Sequence, residues 1–269
     1  MRRGRVVAGL AMIGLAVVIF TGWSPWSWAS PWSAPWSTME QREELAAGIT
    51  AVRMDVGSGN VMIRTGDRAR TSLTAHVRTS WWRDEGPAYR RDGDTLLLTG
   101  CRGCSVDYDL VVPRGTTVSG NSGSGDVVVQ GVDEVDVELG SGDVRVRDVS
   151  GPVDARTGSG EVTLARVAGP VDVESSSGSI SGSSLAGPVL ADTSSGDVTL
   201  ELTRAQQVHA STSSGDVDLT VPAGRYRVNT GDDGRDGDEG PDVEVVDDPD
   251  ARYALELDTS SGDIAVRTR

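Results

Sequence analysis

Lysine is missing altogether: all 25 basic residues of this 269-residue chain are arginine. Aromatic residues make up only 4%, with a single phenylalanine, and five of the seven tryptophans precede residue 40. Whatever core the rest builds must be thin and aliphatic. Two histidines, His76 and His209, lie far apart with no triad context, which leaves no catalytic constellation to name. Two cysteines and no neighbouring histidine cannot complete a zinc centre. No phosphate-cradling or dinucleotide fingerprint occurs, because the glycines lead into strand patterns and not helices. Positive charge is also scarce. The net charge is −15, and beyond the first three arginines 22 arginines face 40 acids, or −18. A surface of that sign repels phosphate backbones, so nucleic acid is not an expected partner.

What is abundant is glycine, 34 residues, and it is periodic. A Ser-Gly-acid turn or a close relative recurs with its glycine at Gly125, Gly142, Gly160, Gly178, Gly196, Gly215 and Gly262, the first five steps being 17, 18, 18, 18 and 19 residues. A fixed period of that size is the signature of a solenoid. Between Ser141 and Ser176 each period holds two short runs of alternating apolar residues, Val144 and Val146 then Val153 and Ala155, followed by Val162 and Leu164 then Val171 and Val173. Alternate positions in a strand point to opposite faces. The valines therefore stack inward while Arg145, Arg147, Asp154, Thr163 and Asp172 face water. Gly-Pro-Val at 151–153, 169–171 and 187–189 marks a second corner, where proline is tolerated as a strand begins. The expected fold is all-β: a single-domain β-solenoid of stacked two-strand coils with a repeat of about 18 residues.

The N-terminal region reads differently. Residues 1–5 carry three arginines, and 6–23 are apolar enough to span a bilayer as one transmembrane helix with the N-terminus inside. A cleaved signal peptide is the competing reading, although Ser27-Trp28-Ala29 makes a poor cleavage site. Residues 24–48 form a Trp/Pro/Ser-rich spacer, with a short helical turn expected over Glu40 to Ala47. The strand-repeat domain is placed at 49–269. It opens with longer, less regular strands, among them Thr71 to Thr79, that cap the first coil against edge pairing, and it ends on a final strand, Ile264 to Arg269, whose edge Arg267 and Arg269 are expected to blunt.

Cys101 and Cys104 stand in CRGC. Behind an export signal this spacing predicts a small disulfide loop, with a redox pair as the lesser alternative. Asp126, Asp143, Asp197, Asp216 and Asp263, with Glu161 in register, form a column at one edge, interrupted by Ser179. Asp126, Asp143, Asp197 and Asp216 are weak candidates for a calcium ladder; the plainer reading is aspartate bonding turn amides. The period breaks at 231–241, where Asp232, Asp233, Asp236, Asp238 and Glu239 crowd an acidic insertion. Its composition favours a solvated loop over an EF-hand-like site.

The repeated SGDV turns, the CSVDY segment at Cys104 to Tyr108 entering a strand that ends Val111-Val112-Pro113, and the N-terminal anchor together resemble the bacterial "putative adhesin" β-strand-repeat family, the toast-rack domains. The resemblance covers about Ile49 to Arg269 and implies an envelope-exposed fold without carrying over any catalytic residue. The resulting expectation is a non-enzymatic, cofactor-free, monomeric module held at the cytoplasmic membrane with its C-terminal domain extracellular. It would bind a cell-wall glycan or another envelope protein. A structural spacer or self-assembling element is the alternative, and a parallel-β-helix carbohydrate enzyme a more distant one.

Overall fold

A computed structural model describes residues 37–79, 88–101, 103–231 and 241–269. The N-terminal end comprises β1 (Ser37–Leu45), β2 (Ala51–Val56), β3 (Val61–Gly66), β4 (Thr71–Thr79), β5 (Tyr89–Asp92), β6 (Thr95–Thr99) and β7 (Cys104–Pro113). Regular coils follow as strand pairs: β8 (Thr117–Ser124) with β9 (Val127–Gln130), β10 (Glu134–Ser141) with β11 (Val144–Val149), and β12 (Val153–Thr157) with β13 (Val162–Val167). The next three pairs are β14 (Val171–Ser175) with β15 (Ile180–Leu185), β16 (Val189–Ser195) with β17 (Val198–Leu202), and β18 (Val208–Ser214) with β19 (Val217–Val221). The C-terminal end holds β20 (Arg225–Thr230), β21 (Asp242–Val243), β22 (Val246–Asp247), β23 (Ala254–Thr259) and β24 (Ile264–Thr268).

Each coil gives one strand to each of two 12-stranded sheets. The front sheet runs β1-β4-β7-β3-β9-β11-β13-β15-β17-β19-β24-β21, and the back sheet β22-β20-β23-β18-β16-β14-β12-β10-β8-β2-β6-β5. Pairing through the regular coils is parallel and in register, as in Val144 with Val162 and Val153 with Val171. Val144, Val146, Val153, Val162, Leu164, Val171 and Val173 are all buried, so the inward register expected from the alternation is the one observed. The core is one narrow aliphatic seam between the sheets. Where glycine occupies an inward position, at Gly182, a bulge lets Leu185 fill the gap; a Cβ on Gly182 would lie 2.8 Å from Leu185 Cδ1.

Three expectations change. The segment expected to make a helical turn over Glu40 to Ala47 belongs mostly to β1, which pairs antiparallel with β4. Gln41, Glu43 and Leu45 alternate as half-buried positions, a period of two that suits an edge strand. Pairing with β4 overrides the helix propensity of its glutamates. Secondly, β24 is not the final edge. It lies between β19 and β21, while β23 lies between β18 and β20. The chain runs past this level to lay down β20 to β22 as the end cap, then returns to fill the coil beneath it. Thirdly, Arg267 and Arg269 therefore do not blunt an edge: they reach back across the sheet to Asp218 at 2.8 Å and Glu201 at 3.0 Å. At the opposite end, β1-β4-β7 and β5-β6 pair antiparallel and close the stack with the irregular cap expected there. The transmembrane helix expected at 6–23 lies outside the described residues and gains no support from them; among those residues no helix is long and apolar enough to cross a membrane. The acidic residues 232–239 also lie outside them.

Candidate functional site

The Ser-Gly-Asp turn is built by stacking. Gly125, Gly142, Gly160, Gly178, Gly196, Gly215 and Gly262 all have φ between 113° and 150°, where side chains are strained. A Cβ on Gly160 would lie 2.0 Å from the carbonyl oxygen of Gly142 in the preceding coil, and the other members of the column are similarly hemmed in. Glycine therefore satisfies the turn and the coil spacing together.

Beside it runs the carboxylate column. Asp126, Asp143 and Asp197 each accept a hydrogen bond from the backbone N–H of the counterpart one coil further on: Asp143 N–H to Asp126 Oδ1 at 3.1 Å, Glu161 N–H to Asp143 Oδ1 at 3.0 Å, and Asp216 N–H to Asp197 Oδ1 at 3.0 Å. Ser179 continues the pattern with its hydroxyl, accepting from Asp197 N–H at 3.2 Å, and Asp216 accepts from Asp263 at 2.9 Å. These are the turn amides that the sequence reading expected, and they belong to the next turn along the stack. Two members were missed. Asn60 bonds Asp126 N–H and Asp107 bonds Asn60 N–H, extending the ladder into the cap. The degenerate GSGN turn at 57–60 carried the signal for Asn60. Asp126, Asp143, Asp197 and Asp216 thus act as turn ligands, and among the described residues no group of three or more His, Cys, Asp or Glu side chains converges.

A second column went unread. Thr157, Ser175, Thr193, Thr212 and Thr259 sit on the back sheet near the turn, and each hydroxyl donates to a turn-glycine carbonyl, from Thr157 to Gly142 at 3.2 Å through Thr259 to Gly215 at 3.0 Å. Thr157, Ser175, Thr193 and Thr212 are buried, and these bonds offset the cost of burying them. At the penultimate position of β11, β13 and β15, Asp148, Arg166 and Ser184 adopt positive φ without being glycine. Arg166 clamps Asp148 bidentately at 2.6 and 3.0 Å, which holds that carboxyl below its usual pKa.

Cys101 and Cys104 form a disulfide with Cα atoms 5.6 Å apart, on the connection from β6 to β7. Tyr108, buried beside it, donates to backbone carbonyls of Ala88 and Thr99, and desolvation drives its phenol well above the ordinary range. His76 lies on β4 in the front sheet and His209 on β18 in the back sheet, so the two do not meet.

The two outer faces differ in chemistry. On the front sheet the column Val128, Arg145, Thr163, Ser181, Thr199 and Asp218 is mixed, as its sequence indicated. The back sheet is acidic from β10 to β23. One column runs Asp136, Asp154, Asp172, Leu190, His209, Glu256 and its neighbour Glu138, Arg156, Glu174, Asp192, Ser211, Asp258. Burial raises the pKa of Asp154, and so do Asp172 and Asp136, against the opposing pull of Arg156 at 2.6 Å. Asp192 is raised for the same leading reason, partly countered by His209, which lies 3.7 Å from Asp192 and 3.5 Å from Glu256. Beside the first column the stacked corner prolines Pro152, Pro170 and Pro188 wall a shallow groove of about 520 Å³.

This architecture defines a two-sheet parallel β-solenoid whose polar groups are arranged in ladders along the stack. The chain belongs to the Toastrack DUF4097 family, whose model matches residues 49–267. Among solved structures, a "putative adhesin" from Bacteroides fragilis is similar over 87% of this chain and 97% of its own, at 13% identity and a TM-score of 0.51. A "putative cell adhesion protein" from Clostridium sporogenes aligns over 87% and 100% at 11% identity, with a TM-score of 0.36. At such identity the Bacteroides structure speaks for the fold alone. No curated protein matches the chain in sequence.

Proposed function

We propose that the protein is an adhesin-like, non-catalytic binding module of the cell envelope. Its N-terminal apolar segment anchors it to the cytoplasmic membrane, and a monomeric solenoid outside engages a cell-wall glycan or another envelope protein. The observation that carries this reading is the back sheet, a predominantly acidic surface on which successive coils align their outward side chains at the strand spacing of about 4.8 Å. A rigid periodic face suits recognition of an extended partner. Catalysis calls for a cleft in which acid, base or nucleophile converge, and the ladders place their carboxylates in line. The Bacteroides structure, named a "putative adhesin", agrees with such a role.

The test is capture. Full-length protein in detergent micelles is immobilised and exposed to cell-wall glycan fragments and to solubilised envelope proteins. The expected result is saturable retention of one of these classes, lost when the back face is reversed in charge by Asp154→Arg with Asp172→Arg. Release of shortened glycan with no retained partner would replace the reading with an enzymatic one, and retention of neither class would favour a structural spacer.

A further inference from the structure

The groove on the back sheet joins three features that a linear ligand would sense together. Its wall is apolar, formed by the rings of Pro152, Pro170 and Pro188 stacked one per coil. Leu190 interrupts the acidic column and remains 37% exposed, so the apolar character extends onto the face itself. The rim is anionic, with Asp154 and Asp172 lining it. Charge on the strands beside this rim is uneven. β10 presents Asp136 and Glu138, and β14 presents Asp172 and Glu174; β12, between them, presents Asp154 with Arg156. That guanidinium lies 2.6 Å from Asp154, 4.0 Å from Asp172 and 3.7 Å from Glu174. Five carboxylates thus share one arginine across three coils, and like charges stacked on neighbouring strands oppose the pairing that holds them. An incoming cation would relieve that opposition.

The carboxylate pairs of β10 and β14 lie two coils apart, roughly 9.6 Å at the strand spacing, with Arg156 between them on β12. A polyproline II chain rises about 3.1 Å per residue with three residues per turn, or about 9.3 Å per turn. Every third residue of such a chain therefore meets every second coil, while its intervening residues lie along the apolar wall. A β-strand ligand, with same-side residues about 6.6 Å apart, drifts out of step.

We propose that this groove, together with the adjoining strand β10, docks an extended cationic peptide in the polyproline II conformation, with a basic side chain at every third residue facing β10 and β14. The proposal rests on the binding-module reading and narrows its partner to a protein segment.

The test uses full-length protein in micelles and fluorescence anisotropy with three labelled nonapeptides: a Lys-Pro-Pro triple repeat, its isomer with three lysines followed by six prolines, and a Glu-Pro-Pro repeat. The spaced lysine peptide is expected to bind at least tenfold tighter than its isomer, and the glutamate peptide not at all. Asp172→Asn with Glu174→Gln should weaken the spaced peptide at least tenfold, whereas Asp218→Asn on the front face leaves it unchanged. Equal binding of the two isomers, or equal loss from the front-face variant, would reduce the effect to net charge and overturn the proposal. Absence of binding, or a preference for chitosan oligomers over the spaced peptide, would overturn it as well. If the back-face variant leaves cell-wall capture intact, the groove assignment fails while the binding-module reading stands.

Discussion

At the scale of single residues, the turn glycines and the inward valines answer to different constraints. Gly160→Ala must place a methyl group 2.0 Å from the Gly142 carbonyl at φ 150°, which forces two coils apart. A loss of several kcal/mol is expected, among the larger point-mutant effects. Gly57→Ala adds its methyl where nothing lies within 4 Å and should be nearly neutral. Thermal denaturation of both variants decides the matter, and comparable losses would show that stacking is not what requires glycine. Val162 is fully buried and Thr163, one residue on, faces water, so Val162→Asp should cost several kcal/mol and Thr163→Asp almost nothing. This much was legible in the sequence, because a period of two and a period of 18 are local signals. Less legible was the hydroxyl column at Thr157, Ser175, Thr193 and Thr212. Its spacing is as regular as that of the glycines, but a lone threonine in a strand reads as outward and wet until its acceptor in the neighbouring turn is known.

At the scale of elements, the ends of the stack depart from chain order. β23 has the same alternating pattern whether its neighbour is β18 alone or β18 and β20, so nothing within residues 254–259 announces its insertion. The helix-prone glutamates of β1 were likewise misread because the partner that makes them a strand, β4, lies some 30 residues away, and long-range pairing outweighs propensity. The end cap is held by Tyr226, the bulkiest of the fully buried side chains, whose hydroxyl donates to the Pro222 carbonyl at 2.8 Å. Tyr226→Ala should therefore destabilise by about 3–5 kcal/mol, as large-to-small changes of buried aromatics do. Tyr253→Ala removes a half-buried ring beneath Arg252 and should cost far less. Urea denaturation of the two variants makes the comparison. Equal midpoints would mean that β20 is not docked as described.

At the scale of the whole molecule, the acidic back sheet couples stability to pH. Asp154 and Asp192 have folded-state pKa values raised first by desolvation and then by neighbouring carboxylates. Between the unfolded value near 3.9 and the raised folded value, the folded chain holds more protons than the unfolded one, so these two groups make stability rise as pH falls through that window. Asp148 behaves oppositely. Its pKa is lowered by Arg166, so its contribution is fully present above about pH 3.9 and is lost only below it, leaving the two effects separable on the pH axis. Because both raised carboxylates are partly exposed, solvent screening keeps the effect small. The informative quantity is therefore the difference between the native chain and the Asp154→Asn, Asp192→Asn variant. The native melting temperature should climb relative to the variant's as pH falls from neutrality toward the unfolded value of about 3.9, and the variant should be at least as stable as the native chain at neutral pH. Arg156 keeps Asp172 and Glu174 as partners in that variant, so it is not stranded. Parallel curves for the two proteins from neutrality to that pH would mean that the stacked carboxylates do not oppose folding, and would remove the electrostatic reason for a cationic partner on this face.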